Sequence, residues 1–169
     1  MEINKNFNIA EIFEIAEQIE RNGAEFYTNA AEHFNDIPDL KQLLLKLAKE
    51  EKNHEVTFCA FKKDSLIDEI LVDINDEITA KYLHAVAAQF VFQKSDKSMF
   101  SNINDSTQKQ DIFKFAIERE KNAILLYLGI KNIITDKKIR KNVEFLMREE
   151  MKHLSILTKY AETYKFAVI

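Results

Sequence analysis

The chain states one pattern twice, and this repeat constrains its fold more than any other feature. IFEIAEQIERNGAEFY at 12–27 lies over IFKFAIEREKNAILLY at 112–127 without a gap, and LAKEEKNHEVTF at 47–58 lies over LMREEMKHLSIL at 146–157. Glu20 stands seven residues before Tyr27 as Glu120 stands seven before Tyr127, and Glu51 stands three before His54 as Glu150 stands three before His153. The period within each copy identifies the repeated unit. Ile9, Phe13, Ala16, Gly23, Tyr27, Ala30 and Phe34 keep to steps of three and four once Glu20 is counted between Ala16 and Gly23, which is one stripe of an α-helix. Two glycines and one proline in 169 residues leave too few turn signals for a sandwich or barrel, which needs them every 8–12 residues or so. The repeat is therefore a pair of helical hairpins.

The first helix is expected over about 8–34, with Asn8 as its cap and Glu11 completing a capping box. Asp36-Ile37-Pro38 breaks it, and Pro38 suits the first turn of a second helix over 38–63 with the stripe Leu40, Leu44, Leu47, Phe58 and Phe61. Residues 64–74 read as a connection, 75–93 as a shorter amphipathic helix, and the polar tract 94–107 as a loop. A third helix over 106–134 carries Phe113, Ala116, Ala123, Tyr127, Ile130 and Ile134. A fourth over 136–165, capped near Thr135-Asp136, carries Ile139, Val143, Leu146, Leu157, Tyr160 and Tyr164. Short connections make the helices of each hairpin antiparallel neighbours. The expected fold is all-α: an antiparallel four-helix bundle forming a single domain over 1–169, with a long, partly helical crossover between the second and third helices.

Six polar residues interrupt the apolar stripes. Glu20 and Glu120 fall on the seams of the first and third helices, Glu51 and His54 on that of the second, and Glu150 and His153 on that of the fourth. An unpaired carboxylate in an apolar core costs several kcal/mol or more, and four together also repel one another. No arginine or lysine takes a seam position, so the compensating charge is expected from outside the polypeptide. A Glu and a His at i and i+3 project from one helical face and can bind one ion. Four carboxylates and two neutral imidazoles carry a charge that cancels two divalent cations. Oxygen and imidazole donors without thiolate suit iron or manganese, with zinc as an ion acquired on isolation. Gly23 and Ala123, one turn from Glu20 and Glu120, are expected to leave space for an exogenous oxygen ligand.

Other residues take plainer readings. Glu50 and Glu149 lie about 100° around the helix from the seam and are expected to be solvated. Glu17 and Glu118 read as surface charge, and His33 and His84 as structural. Tyr27 and Tyr127 are core aromatics, each two turns from a candidate ligand and so close enough to hydrogen-bond it or pass an electron. Phe90 and Phe92 read as packing, and Cys59 as a buried free thiol. A formal charge of -4 gives no basic footprint for nucleic acid. The single cysteine excludes an internal disulfide or a CxxC pair. The amino terminus lacks the apolar run of a signal peptide, and no stretch approaches the ~18 uncharged residues of a membrane span, so a cytoplasmic location without membrane contact is expected.

Glu20…Tyr27, Glu51-x-x-His54, Glu120…Tyr127 and Glu150-x-x-His153 resemble the ferritin-like superfamily and, within it, the rubrerythrin-type family. The resemblance spans nearly the whole chain. It implies a di-iron centre in which Glu51 and Glu150 bridge, Glu20 and Glu120 flank, and His54 and His153 are terminal ligands. The chain departs from the family twice. Its one cysteine cannot build the four-cysteine iron site of a rubredoxin domain, so it resembles the stand-alone members. Ile117 and Ala123 stand where the family carries a further glutamate three residues from the third-helix ligand, so the ligand exchange tied to that residue is not implied here. Bacterioferritins use a similar ligand set, but their crossover lacks a helix of this length.

The expected function is that of an oxidoreductase cycling a di-iron centre. It would reduce peroxide or dioxygen with electrons from a separate donor protein such as a rubredoxin, and act as a homodimer. The alternatives are an iron-binding or storage protein with ferroxidase activity, and a non-catalytic helical scaffold.

Overall fold

The computed structural model describes residues 9–63, 78, 81–83, 85–86 and 106–165. Asn8, His84, Phe90, Phe92, the loop expected over 94–107 except for its helical end, and most of the helix expected over 75–93 lie outside the described residues. Four helices make up the body: α1 (Ile9–Glu32), α2 (Pro38–Lys63), α3 (Ser106–Ile133) and α4 (Lys137–Thr163).

Local chemistry sets their ends. The last turn of α1 tightens as His33 N donates to Ala30 O at 2.9 Å, and the chain turns as Ile37 N donates to Phe34 O at 3.0 Å. Pro38 opens α2 where a missing N–H costs nothing. Lys109 Nζ donates to both carboxylate oxygens of Asp36, at 2.6 and 2.5 Å, and pins this turn to α3. Asp136 caps α4, its side chain accepting from Ile139 N at 2.8 Å.

α1 packs along α2 and α3 along α4, and the hairpins meet through α1 against α3 and α2 against α4. The buried side chains form two apolar clusters. One contains Ile12, Phe13, Phe58, Tyr127, Val143 and Leu146. The other contains Tyr27, Phe34, Leu44, Phe113, Ala116 and Leu157. In every helix the interrupting Glu or Glu–His pair falls between a residue of one cluster and a residue of the other: Phe13 and Tyr27 in α1, Leu44 and Phe58 in α2, Phe113 and Tyr127 in α3, and Leu146 and Leu157 in α4. The core is thus two apolar plugs with a polar layer between them. Among the described residues, no helix is long and apolar enough to cross a membrane.

The described part of the crossover is helical at 81–83 and 85–86 and lies against α3. Tyr82 Oη donates to Leu125 O at 2.7 Å, and Leu83 is buried. Gly129 allows this approach, since a Cβ there would come within 2.6 Å of Leu83 Cδ2 and 2.9 Å of Tyr82 Cε1. Replacing Gly129 by Ala should lower stability. Overpacking costs about 1–3 kcal/mol, and the better helix propensity of Ala returns at most about 1 kcal/mol. A thermal melt in which Gly129→Ala equals or exceeds the parent would contradict this packing.

Candidate metal centre

The helical period alone turns the six interrupting residues inward. Glu20 and Glu120 come from α1 and α3, Glu51 and His54 from α2, and Glu150 and His153 from α4, and all six are buried. They converge. One ligand atom each from Glu20, Glu51, His54 and Glu150 lie within 4.8 Å of one another, and the same holds for Glu51, Glu120, Glu150 and His153. Glu51 and Glu150 belong to both groups.

Glu150 spans the layer, with Oε1 at 2.7 Å from His54 Nδ1 and Oε2 at 3.3 Å from His153 Nδ1. His153 Nδ1 also lies 3.2 Å from Glu51 Oε1 and 3.6 Å from Glu120 Oε2, and His54 Nδ1 lies 3.4 Å from Glu20 Oε2. These approaches are not aligned as hydrogen bonds. Both oxygens of Glu20, one each of Glu51, Glu120 and Glu150, and the Nδ1 atoms of both histidines have no hydrogen-bond partner among the described residues. Buried polar atoms are nearly always satisfied. Orphaned carboxylate oxygens and imidazole nitrogens facing one another at this range suit a pair of hard or borderline divalent cations, and the residues fit such a group.

The two tyrosines lie on opposite sides of the layer. Tyr27 Oη donates to Glu120 Oε1 across the bundle. Tyr127 is fully buried and packs on Phe58 with ring centroids 5.2 Å apart, while its hydroxyl has no hydrogen-bond partner among the described residues.

Burial and crowding reorder the titration of the layer. Burial, then the charges of Glu51 and Glu150, hold the Glu20 carboxyl well above its ordinary value. Burial and Glu150 push Glu120 up to about 8. Burial and the charge of Glu51 push Glu150 upward too, but the His153, His54 and Glu120 groups facing its oxygens outweigh them and leave it below the ordinary value. Burial alone would lower both histidines, yet the carboxylates around them raise His54 and His153. Burial, then the Glu120 charge, raises Tyr27, which keeps its hydroxyl proton.

Three plainer sequence readings are corrected, the first being Cys59, which is half-buried rather than buried. Glu17 is buried rather than a surface charge, because Arg21 one turn on lies 2.5 Å away and Lys62 of α2 reaches its other oxygen at 2.6 Å. Glu50 is only part-exposed, with Oε2 at 3.2 Å from His153 Nε2 on the far side of the ring from the carboxylate layer. Its counterpart Glu149 is held instead by Lys152 at 2.5 Å. A cation does enter the interior: Arg119 is buried beside Glu120, donates to Ile19 O at 3.2 Å and lies over the Phe26 ring at 5.5 Å. Glu50 could have been found from its place beside Glu51 in the repeat. Arg119 carries no such signal, because it replaces Ile19 of the first copy.

A four-helix bundle whose mid-plane holds two Glu–His pairs and two further glutamates belongs to the ferritin-like class. The rubrerythrin family model matches residues 11–161, and the chain belongs to that family. A crystal structure from Thermotoga maritima, described as a ferritin-like diiron-carboxylate protein, is similar in fold. The TM-score is 0.70 at 20% identity, covering 90% of this chain and 93% of that one. Comparison with curated proteins gives no match.

The titration pattern sets the pH dependence of the metal-free bundle. Glu20, Glu120 and both histidines hold protons to higher pH when folded than when unfolded. Their contribution is fully present below the unfolded values and is lost as pH rises through the folded ones, for Glu120 from 4.5 to about 8. Glu150 acts oppositely, but its contribution is lost only as pH falls below the ordinary carboxylate range. Each extra proton held by the folded state gives a slope of about 1.4 kcal/mol per pH unit. The melting temperature of chelator-treated protein should therefore fall between about pH 5 and 8; a flat or rising profile would contradict the buried protons.

Proposed function

We propose that Glu20, Glu51, His54, Glu120, Glu150 and His153 hold two iron ions, and that the protein is an oxidoreductase reducing peroxide or dioxygen with electrons from a separate donor protein of rubredoxin type. The observation that carries this reading is the pair of four-residue groups sharing Glu51 and Glu150. In it those two carboxylates would be shared by both ions, Glu20 and His54 would complete the set of one, and Glu120 and His153 that of the other. When bound, two ferrous ions supply a pair of electrons and Lewis acidity to an oxygen–oxygen bond.

The chain's own part is to position donors and exclude water. The two apolar plugs close the layer along the bundle axis. Tyr27 anchors Glu120 through its hydroxyl proton, and Glu50 stands behind His153 where a carboxylate can orient the ring. Reduction of peroxide to two waters takes up two protons with the two electrons. In the metal-free layer Glu20 and Glu120 hold protons to higher pH than ordinary carboxylates, and binding of the cations would release them.

Anaerobic loading with ferrous iron should give two ions per chain. Glu51→Ala or Glu150→Ala should reduce this to one or none while the bundle stays folded. The metal-free Glu51→Ala variant should be at least as stable as the parent, since removing a buried carboxylate relieves repulsion. A large loss of metal-free stability would instead favour a purely structural polar network. In stopped-flow mixing with peroxide, the loaded protein should oxidise faster than free ferrous iron, and equal rates would overturn the oxidoreductase reading. A large hollow assembly on gel filtration would favour iron storage.

A further inference from the structure

The two copies of the motif differ at the small residue one turn after the first glutamate, Gly23 in α1 and Ala123 in α3. Glycine in mid-helix carries a stability cost relative to alanine. Backbone conformation does not require it here, because no glycine in the described residues has a positive φ. Space does. A Cβ on Gly23 would fall 2.8 Å from Glu51 Oε2 and 3.2 Å from its Cδ, so the carboxylate occupies the volume that a side chain would take. The opening expected for an exogenous oxygen ligand is filled at Gly23 by the protein itself.

The other oxygen of the same carboxylate points across the bundle, with Oε1 at 3.2 Å from His153 Nδ1. Glu51 therefore stretches from α1, one turn from Glu20, to the His153 side of the layer. We propose that Gly23 is a positioning residue for Glu51: the missing side chain lets the carboxylate lie across both cation positions, and an alanine would turn it out of reach of one of them. The inference rests on the two-cation reading above. Glu150 faces α3 with Ala123 in the matching place and already lies between His54 and His153, at 2.7 and 3.3 Å, so it needs no such niche. The two carboxylates common to both four-residue groups are thus held differently, and only one depends on a glycine.

The test compares the parent, Gly23→Ala and Ala123→Gly as full chains, metal-free and during titration with Mn2+ followed by equilibrium dialysis. In Gly23→Ala the displaced atoms are the end of a flexible side chain, so the metal-free melting temperature should hold or rise by about 2–4 °C. The second Mn2+ should bind about tenfold or more weakly, the scale on which supporting groups tune metal sites. Ala123→Gly should melt lower and keep parental affinity for both ions. Parental two-ion binding by Gly23→Ala would overturn the role of Gly23 and leave the cation reading standing. A fall in metal-free melting temperature of Gly23→Ala would also overturn it, since Gly23 would then serve packing. Failure of the parent itself to bind Mn2+ or Fe2+ would sink the cation reading and this inference with it.

Discussion

Carboxylates brought together in an apolar interior lose their hydration and repel one another, and the bundle is organised around that conflict. A lone ionised carboxylate in such a place would protonate or drive the helix outward. Here Glu20 and Glu120 are raised, Glu150 stays low between two imidazoles, and both imidazoles are raised in turn. The metal-free layer therefore approaches neutrality by distributing protons among its own groups. A cation that enters must displace those protons, so metal uptake and proton release become one equilibrium. The apolar plugs on either side make this coupling strong, because they deny the layer the water that would screen it.

Duplication places the six groups, but the hairpins are fastened differently. On the α1–α2 face, Arg21 joins Glu17 to Glu55 at 2.5 and 2.9 Å, and Lys62 and Lys52 close the network at 2.6 and 2.5 Å. The matching positions in the second copy are Ile117, Lys121 and Leu154. The second hairpin instead takes Leu83 and Tyr82 of the crossover against Gly129. An exposed ion pair adds about 0–1 kcal/mol. Glu17 and Glu55, however, are themselves buried, so their cationic partners prevent a penalty more than they add stability.

The features legible in the sequence are those set by helical period. Glu20, Glu51, His54, Glu120, Glu150 and His153 lie where the apolar stripe continues on both sides, so their inward direction follows from spacing alone. The burial of Glu17 is not legible because its own helix does not reveal Lys62 arriving from α2. The approach of Glu50 to His153 is not legible because a position about 100° from the seam still faces a neighbouring helix in a closed bundle. Arg119 escaped because its aliphatic stem and flat guanidinium can take the place of an isoleucine against Phe26. Gly23 looked like spare room because the occupant of a gap between helices depends on the partner's rotamer, which one-dimensional spacing does not encode.

The departures from the family pattern bear on the charge of the centre. Ile117 and Ala123 are buried, so α3 contributes Glu120 to the layer and no further carboxylate three residues from it on either side. Arg119 adds a buried positive charge beside it. With neutral histidines, four carboxylates and Arg119 leave one excess positive charge with two divalent ions and three with two trivalent ions. In the proposed di-iron reading, the chain's own electrostatics therefore favour the reduced pair. An oxidised pair would need anionic ligands from outside the polypeptide, and it would accept electrons readily from a donor. In that reading, the number of acids on the seams sets the charge that the polypeptide balances without outside ligands.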